Sequence, residues 1–108
     1  MKVEINDEKY DKFQGHILCE IIKSTKEILE EKGVPEELIY DITGDLSFRI
    51  CAIIDSSAVM EVDGEDVLPF LTFSKSPERR DTVIANDGGS YMHEMIYGFT
   101  DEIFEIDQ

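Results

Sequence analysis

Residues 7–32 repeat apolar side chains with the period of an α-helix, and this long segment restricts the possible folds more than any other. The apolar positions that fall on one face are Tyr10, Phe13, Ile17, Ile21, Ile28 and Leu29. Asn6 or Asp7 can cap the first turn. At the other end, Gly33 can take the left-handed conformation that ends helices, and Pro35 cannot continue one. The sequence therefore predicts one long amphipathic helix.

After this helix the apolar pattern changes. Pro35 followed by two glutamates resembles a first helical turn, with its acids at the positive end of the helix dipole, so we expect a short second helix to about Tyr40. From Asp45 apolar residues alternate, and one face would hold Leu46, Phe48, Ile50, Ala52 and Ile54. The alternation predicts a strand of about nine residues.

Three further strands are predicted downstream. Residues 59–62 and 67–74 flank Asp63-Gly64, the dipeptide that best tolerates the two positive φ angles of a type I′ turn, so a hairpin is expected there. Pro69 cannot donate a backbone hydrogen bond, which indicates an edge or a bulge at that point. Residues 81–85 have the composition of a fourth strand.

The last segment fits two structures. A helix that begins at Ser90 would place on one stripe Met92, Met95, Ile96, Phe99, Ile103 and Ile106. A strand would instead align Tyr91, His93, Met95 and Tyr97, and Thr100 would then cap a short helix. We favour the helix. With either choice the chain, residues 1–108, is predicted to be a single α+β domain with its helices on one face of a mostly antiparallel sheet.

The charge of the chain limits its partners. It has 25 acidic and 10 basic residues, a net charge of −15. Affinity for nucleic acids and anionic lipids depends on Lys and Arg, so direct binding to either is not expected. Residues 1–8 lack the apolar segment of a signal peptide, and no apolar run approaches the ~20 residues of a membrane span. We therefore expect a soluble, cytoplasmic protein.

No motif predicts a cofactor, a metal site or an active site. Cys19 and Cys51 lie among apolar residues without metal-ligand spacing, so we expect reduced, buried thiols. The glycines of residues 86–90 match no phosphate-binding motif and are read as a turn. His93 could act with Glu94 or Tyr91 in a small enzyme, but adjacent helical residues point in different directions.

The acidic residues are distributed unevenly. Residues 1–32 hold eight acidic and six basic residues, whereas residues 33–108 hold 17 acidic and four basic ones. A surface that serves solubility alone would mix both signs, so the unmixed segments predict a binding surface for a cationic partner. The acidic residues assigned to it are Asp55, Glu61, Asp63, Glu65, Asp66, Asp87, Asp101, Glu102 and Glu105, and the aromatic anchors are Tyr91 and Tyr97.

In size and charge the chain resembles the bacterial immunity proteins that neutralise nuclease toxins, including those of contact-dependent growth inhibition. The resemblance implies a non-enzymatic inhibitor that binds a basic nuclease toxin domain, with carboxylates where the phosphates of the substrate would lie. An adaptor domain that docks a basic segment of a cellular partner, and a small enzyme that uses His93, are the alternatives.

Overall fold

The computed structural model describes residues 1–105, and at Lys75 and Arg79 it describes the backbone. The first helix, α1, spans Asp7–Glu31, as predicted. The predicted apolar face is only partly correct, because Ile28 is 48% exposed and the helix buries Tyr10, Gln14, Leu18, Ile22 and Thr25. The side chain of Asn6 caps it by accepting a 3.1 Å hydrogen bond from the backbone N–H of Lys9. At its C-terminal end Gly33 has a φ of +73°, a value that favours glycine over residues with a Cβ.

The second helix, α2, spans Glu36–Ile54, so the strand predicted from Asp45 is wrong. The residues that α2 buries recur at helical spacing, and they are Ile39, Thr43, Gly44, Ser47 and Cys51. Most of these are small or polar, so the buried face lacks the large apolar side chains by which a helical period is recognised. The aliphatic residues on the rest of the α2 surface alternate in the sequence, and this alternation resembles the pattern of a strand.

The strands are β1 (Lys2–Ile5), β2 (Met60–Val62), β3 (Glu65–Val67), β4 (Phe73–Ser76) and β5 (Arg79–Ala85). Three of them form a sheet in the order β1-β5-β4, in which β1 runs parallel to β5 and β4 runs antiparallel to it. The other two strands form a separate antiparallel hairpin. The α+β class is thus confirmed for the described residues, but one mostly antiparallel sheet of about four strands is replaced by two small sheets. Sequence analysis missed β1 entirely.

The last segment is helical, as favoured, although the helix begins later than predicted. A 3₁₀ turn, Met92–Glu94, precedes the helix α3, Ile96–Ile103. Ser90, predicted as the cap, instead donates a 3.3 Å hydrogen bond to Oε1 of the buried Gln14 on α1. Residues 86–90 form the turn expected of them, with a φ of +73° at Gly89.

The main cluster of buried apolar side chains lies between the helices, and Val83, Ile84 and Ala85 of β5 are also buried. Its fully buried side chains are Leu18, Ile22, Cys51, Met92 and Ile96. The three-stranded sheet joins the first half of α1, where the ring of Phe73 meets Tyr10 and Phe13 edge to face at 5.3 and 5.4 Å. The expectation that the helices share one face of a sheet is therefore matched only in part. Within residues 1–105, no helix combines the length and hydropathy of a membrane-spanning helix.

Candidate partner-binding surface

The hairpin of β2 and β3 carries four of the acidic residues assigned to a binding surface. Its strands pair antiparallel, with Glu61 opposite Asp66 and Val62 opposite Glu65. Asp63 and Gly64 connect them with φ angles of 52° and 81°, the positive pair that a type I′ turn requires. The predicted hairpin and its turn are confirmed, but the second strand is Glu65–Val67 and not residues 67–74. Every residue from 61 to 68 is exposed.

The two faces of this hairpin differ in chemistry. Residues opposite each other in an antiparallel pair project to the same face, so Glu61 and Asp66 share one of them. The other face holds Val62 and Val67, which are 51% and 38% exposed, together with Glu65. The hairpin therefore presents an acidic face and a largely apolar face, both open to solvent.

No cation within the described structure neutralises the hairpin. The sequence has no Lys or Arg between positions 49 and 75, and no described residue forms an ion pair with Glu61, Asp63, Glu65 or Asp66. Directly opposed side chains lie about 5 Å apart at Cβ, so like charges there repel each other. The hairpin is a site of uncompensated negative charge.

Apolar side chains extend this surface on both sides of the hairpin. Val59 precedes β2 and is 62% exposed, and Leu68 and Phe70 follow β3 at 60% and 57%. Contiguous exposed apolar groups rimmed by polar ones mark interaction sites in soluble proteins. We call residues 59–70 the hairpin surface. Sequence analysis identified its acids but not these apolar residues.

Tyr91, Asp101 and Tyr97 are predicted binding residues that make contacts within the protein. The hydroxyl of Tyr91 donates to Oδ1 of Asp11, and this hydrogen bond is the main reason that the pKa of Tyr91 is raised to about 12. Asp101 accepts a hydrogen bond from the hydroxyl of Tyr40, which raises the pKa of that tyrosine. Tyr97 is 51% exposed but stacks on Phe48 at 6.0 Å.

The remaining predicted acids are exposed and lie outside the hairpin in the chain. Asp87 lies in the turn after β5, Glu102 on α3, and Glu105 follows α3 with a φ of +56°. Glu102 lines a shallow groove of about 380 Å³ with Glu94. Within residues 1–105 we find no hydrogen bond or ion pair between these acids and the hairpin.

Asp55 was predicted to belong to the exposed acidic surface, and this prediction is wrong. Its side chain is fully buried at the end of α2, where Oδ2 accepts hydrogen bonds from the backbone N–H of His93 at 2.7 Å and from Nδ1 of its ring at 2.8 Å. The other oxygen, Oδ1, is buried without a partner. His93 therefore pairs with Asp55 and not with Glu94 or Tyr91. The two residues are 38 positions apart, so no local pattern could have predicted this contact.

A third residue completes an arrangement that resembles a Ser-His-Asp triad. Oγ of Ser57 lies 3.2 Å from Nε2 of His93 and 3.3 Å from its Nδ1. An in-plane oxygen equally far from both nitrogens would collide with the ring carbon between them, so the hydroxyl lies over the ring. In a working triad the serine hydroxyl lies in line with the Nε2 lone pair. The arrangement thus lacks the alignment for proton transfer.

Other potential sites in the described structure have few reactive or metal-binding side chains. A groove of about 690 Å³ between α1 and β4 is walled by Phe13, Ile17 and Phe73. Among the described residues, no three His, Cys, Asp or Glu side chains converge as metal ligands. Both cysteines are free thiols, with Cys51 buried in the core and Cys19 only half-buried.

No family model, curated protein or solved structure matches the chain.

Proposed function

We propose that this protein is a non-enzymatic binding protein that captures a basic partner protein through the hairpin surface, residues 59–70. The observation that carries the proposal is the combination, on one exposed hairpin, of carboxylates with no cationic partner among the described residues and large apolar side chains that are 38–62% exposed. Protein interfaces combine these features: desolvated apolar contacts supply affinity, and charge complementarity supplies orientation and association rate.

The energetics of the hairpin favour a bound state. A two-stranded hairpin is marginally stable in water, and its opposed Glu61 and Asp66 weaken it further. Lys or Arg side chains of a partner would remove this repulsion, and an apolar contact would cover Val62 and Val67. A hairpin without a partner lacks both stabilising contributions.

We further propose that the partner is a nuclease toxin domain and that the protein acts as its immunity protein. A nuclease needs a basic cleft to hold a polyphosphate backbone. The acidic face formed by Glu61 and Asp66, with Asp63 at the tip, can occupy such a cleft with carboxylates in place of phosphates. The narrow, projecting shape of a hairpin suits entry into a concave site.

The proposal predicts that the purified protein inhibits the partner it captures. The chain would be immobilised, incubated with extracts of its source organism, and washed with salt to release basic proteins, which are then assayed for cleavage of RNA and DNA. We expect a nuclease whose activity falls when free protein is added back. A captured basic protein with no nuclease activity would instead favour the adaptor alternative, in which the hairpin docks a basic segment of a cellular partner.

A matched pair of variants connects the inhibition to the hairpin. The double substitution E61Q and D66N removes two charges while keeping side-chain size, and E27Q with E30Q removes two exposed charges from α1. Inhibition should weaken in the first variant and persist in the second. Equal loss in both would assign the effect to net charge alone.

A further inference from the structure

The outer face of α2 carries a row of large aliphatic side chains that no other part of the described structure covers. Leu38, Ile42, Leu46 and Ile53 are 48%, 37%, 44% and 46% exposed. Leu38, Ile42 and Leu46 are spaced four residues apart on one face of the helix, and the exposed Arg49 lies on the same face between Leu46 and Ile53. Single exposed aliphatic residues are common on soluble proteins, but a continuous row marks a contact surface. We call Leu38, Ile42 and Leu46 the α2 row.

An acidic row runs beside it in register. Glu37, Asp41 and Asp45 each precede a member of the α2 row by one residue, so the two rows run side by side along the helix. All three acids are exposed, and no described residue forms an ion pair with them. Asp45 accepts a 3.2 Å hydrogen bond from the hydroxyl of Tyr97, which keeps its carboxylate at this edge. The helix therefore presents the apolar α2 row with a row of negative charges beside it.

We infer that α2 is a second docking surface and that it binds a cationic amphipathic helix of a partner protein. Such a helix would lay its apolar face along Leu38, Ile42 and Leu46, and its Lys or Arg side chains at four-residue spacing would reach the acidic row. The inference goes beyond the proposed function, since it uses residues outside the hairpin surface and does not depend on what the hairpin binds.

The charges favour a cationic helix over a second copy of this chain. Two α2 helices packed antiparallel through their apolar rows would bring each Asp41 near the Asp41 of the other copy, because Asp41 precedes Ile42 at the middle of the row. Each copy would also add a net charge of −15. Like charges at an interface oppose association, whereas a basic amphipathic helix can cover the apolar row and pair with the acidic row at the same time.

A synthetic peptide provides the probe. A helical peptide of leucine and lysine, about 18 residues long so that it forms five turns, would carry its leucines at i, i+3, i+4 and i+7. Titrated into the ¹⁵N-labelled protein, it should shift the amide signals of residues 37–46 more strongly than those of the hairpin surface. A peptide of the same composition with leucines spread around the helix should bind at least about fivefold more weakly, because it lacks a continuous apolar face.

Matched variants locate the contact. L46S should weaken peptide binding at least about fivefold, since it removes one of three apolar contacts, whereas L68S in the hairpin should leave it within about twofold. E37Q with D41N should weaken binding more than E27Q with E30Q, which removes the same charge from α1. Circular dichroism melts would verify that each variant is folded.

Three results would overturn the inference. Equal weakening by L46S and L68S, or by the two charge-neutralising pairs, would show non-specific attraction to an acidic protein. Equal binding of the scrambled peptide would show that the apolar row has no role. A dimer in sedimentation experiments that L46S dissociates would show that a second copy covers α2.

Discussion

Glu61 and Asp66 lie directly opposite each other in the β2–β3 hairpin, with no cation among the described residues to separate them. A sheet normally places opposite charges or apolar pairs at such positions, because directly opposed like charges destabilise the pairing. Here the repulsion falls on the most acidic segment of the chain, at a point that a basic partner can reach from solvent. This pair connects the charge of the sequence to the proposed binding function.

Removing one of the two charges should stabilise the free hairpin. We expect E61T to slow amide hydrogen exchange in β2 and β3 and to raise hairpin stability by roughly 0.2–1 kcal/mol, because threonine also has a high strand propensity. E65T is the control, since Glu65 lies opposite Val62 and has no repulsion to relieve. Equal slowing in both variants would attribute the gain to strand propensity and not to charge.

Asp55 should be a major contributor to stability, although sequence analysis placed it in a binding surface. D55N removes a buried charge that binds both the backbone N–H and the ring Nδ1 of His93, and we expect a loss of about 1.5–3 kcal/mol in denaturant unfolding. S57A should change stability by less than about 0.5 kcal/mol, because Ser57 is exposed.

The same serine tests the enzyme alternative. Because its hydroxyl lies over the ring of His93, we expect no reaction of Ser57 with a fluorophosphonate probe. Labelling of Ser57 that is lost in H93A would contradict the binding account and support hydrolysis.

Tyr10 should make the stability of the protein decline at high pH. Burial, with a smaller contribution from Asp55, raises its pKa from 10.0 to about 12, and its hydroxyl donates a 2.7 Å hydrogen bond to the carbonyl of Leu71. The neutral form is favoured in the folded state, so its contribution is complete below pH 10 and is lost as pH rises through about 12. Urea unfolding at a series of alkaline pH values should show this decline.

The variant Y10F separates the contribution of Tyr10 from general alkaline unfolding. It should lose about 1 kcal/mol at neutral pH with the hydrogen bond and then show a shallower alkaline decline than the wild type. Identical slopes in the two proteins would assign the decline to other groups.

The two cysteines should differ in reactivity. Burial raises the pKa of Cys51 to about 12, and a smaller upward shift of the Cys19 pKa has the same cause. In native protein at mildly alkaline pH, a disulfide exchange reagent should modify Cys19 before Cys51. In C19S the remaining thiol should react only at the rate of unfolding, and rapid reaction would contradict its burial in the core.

How far the sequence predicted this structure depends on how local each signal is. The ends of α1 were predictable because Asn6, Gly33 and Pro35 act on their immediate neighbours, and the hairpin because Asp63-Gly64 determines its own turn. In α2 the buried face is small and polar, at Thr43 and elsewhere, so the helical period was hidden.

The contacts that sequence analysis missed join distant parts of the chain. β1 is four residues long and becomes a strand by pairing with β5, some 80 residues away. The pairing of Asp55 with His93 is likewise a product of tertiary structure. At the candidate site, the acids were recognisable from composition, whereas the exposure of Val62, Leu68 and Phe70 required the fold.

The most direct test of the central claim is the association rate of the captured partner, measured by stopped flow across a salt series with wild type, with E61Q and D66N, and with E27Q and E30Q. Exposed charges are screened over about 10 Å at 0.1 M salt. The hairpin account predicts that association slows as salt rises, and that the hairpin variant is slower at low salt with a flatter salt dependence, while the α1 variant follows the wild type. Rates that are indifferent to salt, or equally reduced in both variants, would contradict it.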